Sequence, residues 1–212
     1  MKKLILIILF YLAGITMQAQ TDTTITFKDY TKRTAVSLSY FGKSLINPGY
    51  KVGFEYEFWS KNKTRTKKNG DKINQKHEFI LSENFSNYLH FRNHVGLLLN
   101  SEIGYRYVRK NGFMYEASLG VGYFHTFVKG DTYSITNNNE VIREPLAGQS
   151  NFSSSYSFGI GKDYSFELGK PWAWHVKYIE FIQVPFGSQF IKYSAIELGL
   201  IYYLNFNNKM KK

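Results

Sequence analysis

The chain contains no cysteine, which excludes a disulfide framework and leaves the fold to hold itself together by other means. Past its first residues it has no long uncharged apolar run, and that excludes a later transmembrane helix. Acidic residues are few, 16 against 27 Lys and Arg, and the formal net charge is +11. What it has instead is aromatic side chains, 17 Tyr and 18 Phe in 212 residues. Such residues favour strands and also collect at membrane interfaces.

Met1-Lys2-Lys3, the apolar run from Leu4 through Ile15 and the segment Thr16-Met17-Gln18-Ala19-Gln20 follow the order of a secretory signal peptide, with cleavage expected after Ala19. The apolar run is well short of the ~20 residues that cross a bilayer as a helix. Export makes anionic surfaces such as lipid headgroups, and not nucleic acid, the expected context for a basic chain.

Residues 95–127 form two ribbons of strict alternation around Lys110-Asn111-Gly112. One face of the first ribbon includes Val95, Leu97, Leu99, Ile103, Tyr105 and Tyr107; the other includes Gly96, Asn100, Glu102, Gly104 and Arg106. A period of two means β-strand, and Asn-Gly is a hairpin signal. These ribbons exceed the ordinary strand of about 5–6 residues. A wide apolar face opposite a polar one suits lipid on one side and a polar lumen on the other. Sustained alternation recurs over residues 34–40, 50–59, 77–86, 95–108, 113–127, 152–168, 172–184 and 193–206. Glu83 interrupts the third of these segments, and Glu180 the seventh, where a bulge or a change of environment is expected.

The resulting expectation is an all-β, eight-stranded antiparallel up-and-down transmembrane β-barrel; residues 24–30 and 133–142 would make ten strands. The expected layout is a signal peptide over 1–19, an N-terminal periplasmic segment over 20–32, the barrel over 33–206 and a C-terminal tail over 207–212. Lys110-Asn111-Gly112 and Gly169-Lys170-Pro171 read as short periplasmic turns, and 129–149 as a long outer loop. Residues 60–75 are long and basic for a periplasmic turn, and Asn69-Gly70 suggests a hairpin prolonged beyond the membrane.

The last segment, Glu197-Leu198-Gly199-Leu200-Ile201-Tyr202-Tyr203-Leu204-Asn205-Phe206, resembles the β-signal of bacterial outer-membrane proteins, although Asn207 to Lys212 follow its terminal aromatic residue. The mature chain is similar to small Gram-negative outer-membrane β-barrel proteins, porin-family-like and of the OmpA/OmpX size class. The resemblance implies residence in the cell outer membrane and recognition of Gly199, Tyr202, Leu204 and Phe206 by the barrel assembly machinery. It also implies outer-membrane lipids as partners. No activity follows from it, because barrels of this size include structural proteins, adhesins and lipid-modifying enzymes. A monomer is expected.

The polar face collects Lys51, Glu55, Glu57, Asn100, Glu102, Arg106, Glu116, His175, Lys177 and Glu197. An eight-stranded lumen is just wide enough for side chains to fill it, so these charges should pair, with Arg106 beside Glu102 and Glu116 at the centre. A structural or surface-interaction role follows, with a small-solute or ion channel as one alternative. Ser86, His90, His94 and His125 near the outer rim allow a lipid-modifying hydrolase, but no Gly-x-Ser-x-Gly occurs, and no catalytic residue is assigned. A soluble periplasmic barrel is the remaining alternative. Gly120, Gly122, Gly159 and Gly161 read as lumen glycines, not a phosphate loop. Asp131, Asn137, Asn139 and Glu140 lack EF-hand spacing, so neither metal nor cofactor is expected. The run Lys61, Lys63, Arg65, Lys67, Lys68, Lys72 and Lys76 reads as a solvated segment, with docking to anionic headgroups as the sharper alternative.

Overall fold

A computed structural model describes residues 33–42, 47–66, 72–90, 94–135, 140–144, 147–184 and 190–204. The expected signal peptide, the N-terminal segment with residues 24–30, Phe206 and the C-terminal tail lie outside the described residues. The strands are β1 (Thr34–Gly42), β2 (Gly49–Thr66), β3 (Lys72–His90), β4 (His94–Val108), β5 (Phe113–Val128), β6 (Tyr133–Ile135), β7 (Val141–Arg143), β8 (Gly148–Asp163), β9 (Trp172–Val184) and β10 (Ile191–Tyr203).

Eight of these strands close into an antiparallel barrel in the order β1-β2-β3-β4-β5-β8-β9-β10, with β10 pairing back onto β1. Closure leaves no open edge, which answers the missing disulfides: each strand is held on both sides by backbone hydrogen bonds. β6 and β7 form a separate hairpin in the connection between β5 and β8, so 133–142 adds no barrel strand.

The register is strongly staggered. It runs from Thr34 through Tyr56, Leu81, Ile103, Leu119, Tyr156 and Glu180 to Ser194, beyond the last β10–β1 pair of Gly42 with Ile196. One circuit climbs about ten residues along β1, which corresponds to strands steeply tilted from the barrel axis. One end of the barrel, the turn end, carries residues 109–112, the link 164–171 and both barrel termini. At the loop end lie Gly42, Gly49, His90, His94, Val128, Gly148, Val184 and Ile191.

Alternation decides which side chains go inside. In β1, Val36 and Leu38 are exposed on the outer wall while Ala35, Ser37 and Ser39 are buried within. Inside the barrel lie two apolar clusters. Phe41, Tyr88, Leu98, Phe124, Ile179, Phe181 and Ala195 pack toward the loop end. Ala35, Val108, Met114, Ala173, Ile201 and Tyr203 pack toward the turn end.

Three local expectations change. The alternation of 152–168 breaks at Asp163, where a short helix α1 (Tyr164–Leu168) begins. Asp163 accepts from the Ser165 backbone N–H at 2.7 Å, and Gly169 ends the helix at φ 64°. Local capping therefore overrides the parity of Tyr164, Phe166 and Leu168. No bulge occurs at Glu180, since its register with Tyr156 and Ser194 is continuous; its surroundings change instead. The register shift falls between Glu57 and Trp59. As the Asn-Gly signal suggests, β2 and β3 stay paired out to Thr66 with Lys72.

Candidate functional site

Between the two apolar clusters the lumen is filled by charge. Arg106 on β4 holds Glu116 on β5 at 2.7 Å and Glu55 on β2 at 2.8 Å. Lys177 on β9 reaches the other oxygen of Glu116 at 2.5 Å. Lys51 on β2 bridges Glu102 at 3.2 Å and Glu197 at 3.1 Å, and Glu197 also meets His175 Nε2 at 2.9 Å. The lumen residues named from sequence, Glu55, Glu57, Glu102, Arg106, Glu116, Lys177 and Glu197, are all buried. One partnership differs from expectation: Glu102 belongs to Lys51, not to Arg106. Four residues along one strand put Glu102 and Arg106 roughly 13 Å apart, and the stagger brings β2 to Glu102 instead.

The turn end has a second network that the alternation pattern alone does not isolate. Arg33 donates to Glu57 at 2.9 Å, to Glu78, to Ser165 Oγ at 2.7 Å and to Asp163 at 3.3 Å, with its guanidinium 4.2 Å from the centre of the Tyr203 ring. Lys76 joins Glu57 at 3.0 Å and Glu78 at 2.5 Å. Lys76 therefore leaves the expected solvated run and turns inward, while Lys61 and Lys63 are exposed. Arg33 precedes the first alternating segment, so no periodicity marks it; the inward parity of Glu57, Glu78 and Asp163 is the signal that could have marked this cluster.

A cavity of about 10 Å³ lies among Arg33, Glu55, Glu57, Glu78, Arg106 and Tyr203, roughly the room of one water. Glycines admit the long side chains: a Cβ at Gly159 would stand 2.6 Å from the Lys177 stem, and one at Gly199 would stand 2.6 Å from the His175 ring. That inward placement explains the alternate glycines without a phosphate loop.

At the loop end, Ser86 does not join the histidines: it is buried on the lumen face, whereas His90 and His94, partners in the β3–β4 register, stack at 5.1 Å. His94 contacts the Tyr88 hydroxyl at 3.3 Å. On the outer wall, His125 Nδ1 lies 2.9 Å from Ser150 Oγ, and the Tyr123 hydroxyl lies 2.7 Å from the same oxygen. Among the described residues no carboxylate bonds His125. Of the expected assembly residues, Gly199 faces the lumen, Tyr202 and Leu204 are exposed, and Phe206 is outside the described residues. Asp131 pairs with Arg143 beside the β6–β7 hairpin, and Asn137 and Asn139 are outside the described residues. Among the described residues no three His, Asp or Glu side chains are grouped to hold a metal.

The outer wall carries exposed Leu38, Ile103, Leu119, Phe158 and Leu200. One group of its aromatic residues lies toward the turn end, including Trp59 against Phe79, Phe79 against Tyr105, and Trp172 against Tyr202, and another toward the loop end, where Tyr50 meets Phe85. A groove of about 490 Å³ opens on the same wall over Ala117, between Tyr105, Tyr107 and Tyr115 and the side chains of Phe158 and Ile160.

A charge-filled, apolar-walled closed barrel is the class that this geometry defines. No family model matches the chain. No curated protein matches it either. Among solved structures it is similar to the outer membrane enzyme PagL, at 11% identity over 80% of this chain and 98% of that one, TM-score 0.42. It is also similar to the β domain of the Bordetella autotransporter BrkA, at 13% identity over 81% and 69%, TM-score 0.36. A third similarity is to the N-terminal β-barrel domain of Pseudomonas aeruginosa OprF, at 11% identity over 82% and 100%, TM-score 0.38.

Proposed function

We propose that the chain is an integral outer-membrane barrel whose plugged lumen does not conduct and whose role is structural or surface-interacting. The observation that carries this reading is the inversion of the two surfaces. Leu38 is 63% exposed and Leu119 71%, while Arg106 is 1% exposed and Lys51 3%. In water the outer wall would be a large apolar patch, whereas in lipid it is the ordinary surface of a barrel. Two apolar clusters and the ion-pair belt between them support a closed interior. Lipids are the partner that this wall suits, and the groove over Ala117 offers an acyl chain a seat. After cell fractionation the chain should sediment with membranes and need detergent for release. In a planar bilayer the purified protein should give no discrete conductance steps; regular steps would contradict the plug.

A second reading rests on Ser150 and His125. Their 2.9 Å contact on the outer wall near the loop end is where a lipid ester would meet a hydroxyl nucleophile and a general base. Incubating the detergent-solubilised protein with ester-linked phospholipid tests it: release of fatty acid that Ser150→Ala abolishes supports a lipid-acting hydrolase, and no release removes it.

A further inference from the structure

Along β5 the outward side chains are Phe113, Tyr115, Ala117, Leu119, Val121 and Tyr123, and Ala117 is the smallest of them. Its register partners are both large, Tyr105 on β4 and Phe158 on β8. A single methyl group between two rings leaves a furrow in the apolar wall, and this furrow is the groove of about 490 Å³. Its volume falls within the ~300–1,000 Å³ of ligand sites. The next rung toward the turn end, Tyr107–Tyr115–Ile160–Val176, continues the groove over β4, β5, β8 and β9. One rung further, Lys162 on the outward face of β8 stands between Phe113 and Trp174, with its Nζ 5.4 Å from the centre of the Tyr164 ring. The connections that join these strands at the turn end are basic as well. Arg109 and Lys110 are exposed in the β4–β5 turn, and Lys170 is exposed in the β8–β9 link.

We infer that this groove binds one anionic glycerophospholipid, with an acyl chain over Ala117 and the headgroup phosphate at Lys162. The inference rests on the membrane reading above and deepens it, from a wall that suits lipids in general to a site that selects a headgroup. Apolar groove and cationic margin follow one another in the order in which a phospholipid presents its chain and its phosphate. An acyl chain alone would not use the cations, and a free phosphate would not use the groove. The spacing also fits: from Phe158 beside Ala117 to Lys162 is four residues, roughly 13 Å along the strand, on the scale of half the ~30 Å hydrocarbon core. A lysine at that margin attracts an anionic headgroup more than a zwitterionic one. The 109–112 turn is short, as periplasmic turns of such barrels are, so the lipid is drawn from the periplasmic leaflet and is a phospholipid, not lipopolysaccharide.

Of the three tryptophans, Trp174 is the register partner of Lys162, so it reports on the site. Trp59→Phe and Trp172→Phe leave it as the sole tryptophan. The full-length chain in this background is reconstituted into phosphatidylcholine vesicles containing a small fraction of lipid brominated on its acyl chains, either phosphatidylglycerol or phosphatidylcholine. Quenching of Trp174 then reads which lipid stands beside it. Brominated phosphatidylglycerol should occupy the site about fivefold more readily than brominated phosphatidylcholine, the weight of one lysine near an anionic surface. Lys162→Gln should abolish that preference, and so should Ala117→Phe, which fills the groove with a side chain that a lipid-facing wall accepts. Lys61→Gln, an equal loss of charge on the prolonged hairpin, should leave the preference intact. Equal quenching by the two lipids, a preference that survives Lys162→Gln or Ala117→Phe, or one lost equally in Lys61→Gln overturns the inference alone. Displacement of the brominated phosphatidylglycerol by an equal amount of lipopolysaccharide overturns it too. Recovery of the chain from the aqueous fraction, with Trp174 quenched by neither lipid, overturns the membrane reading and this inference with it.

Discussion

At the residue scale the lumen is organised by a few cations, most of which serve two or more carboxylates. Arg106, 1% exposed, holds Glu55 and Glu116 from opposite sides. Replacing it by Met leaves both acids buried without their guanidinium, and removal of one partner of a buried pair costs about 3–5 kcal/mol. Urea unfolding of the Arg106→Met variant in lipid vesicles, followed by tryptophan fluorescence, should show a loss of that order. Lys192→Ala removes an ion pair to Glu180 whose lysine side chain is 58% exposed, so the same measurement should find a far smaller loss. Which residues enter the lumen was legible, because a period of two assigns each side chain to one face. Their pairing was not. Arg106 meets Glu55 across 51 residues of sequence, and the stagger of the closed sheet, which no single strand carries, determines that meeting.

At the scale of elements, turns and caps override alternation. Gly112 closes the β4–β5 turn at φ 75°, where a side chain costs about 1–2 kcal/mol. Gly112→Val should lower the unfolding midpoint accordingly, and an unchanged midpoint would show that the turn adapts. Asp163 does more than cap α1, since it also accepts from the Tyr203 hydroxyl at 3.0 Å and from Arg33. Asp163→Ala should therefore cost more than the ~1 kcal/mol of a lost cap, and a smaller loss in the same unfolding experiment would mean that the Arg33 cluster holds without it. The strands themselves were visible in the sequence, as were the Asn111-Gly112 turn and the prolonged β2–β3 hairpin. The helix was hidden because Tyr164, Phe166 and Leu168 continue the parity of β8, and only the short-range bond from Ser165 to Asp163 breaks it. The Glu57–Trp59 register shift is marked only by the adjacent aromatics Phe58 and Trp59, which are both exposed.

At the scale of the whole molecule, one claim ties these observations together: the barrel is turned inside out relative to a water-soluble protein, with charge within and apolar side chains without. Leu38, Ile103, Leu119 and Leu200 lie on four different strands, and all are more than half exposed. A spin label attached through a single cysteine at each position, in the protein reconstituted into phospholipid bilayers, reads the medium directly. Collision with lipid-soluble oxygen should exceed collision with a water-soluble nickel complex at all four sites, with the reverse at Lys61 on the prolonged hairpin. Greater access to the nickel complex at Leu38, Ile103, Leu119 and Leu200 would contradict a lipid-facing wall.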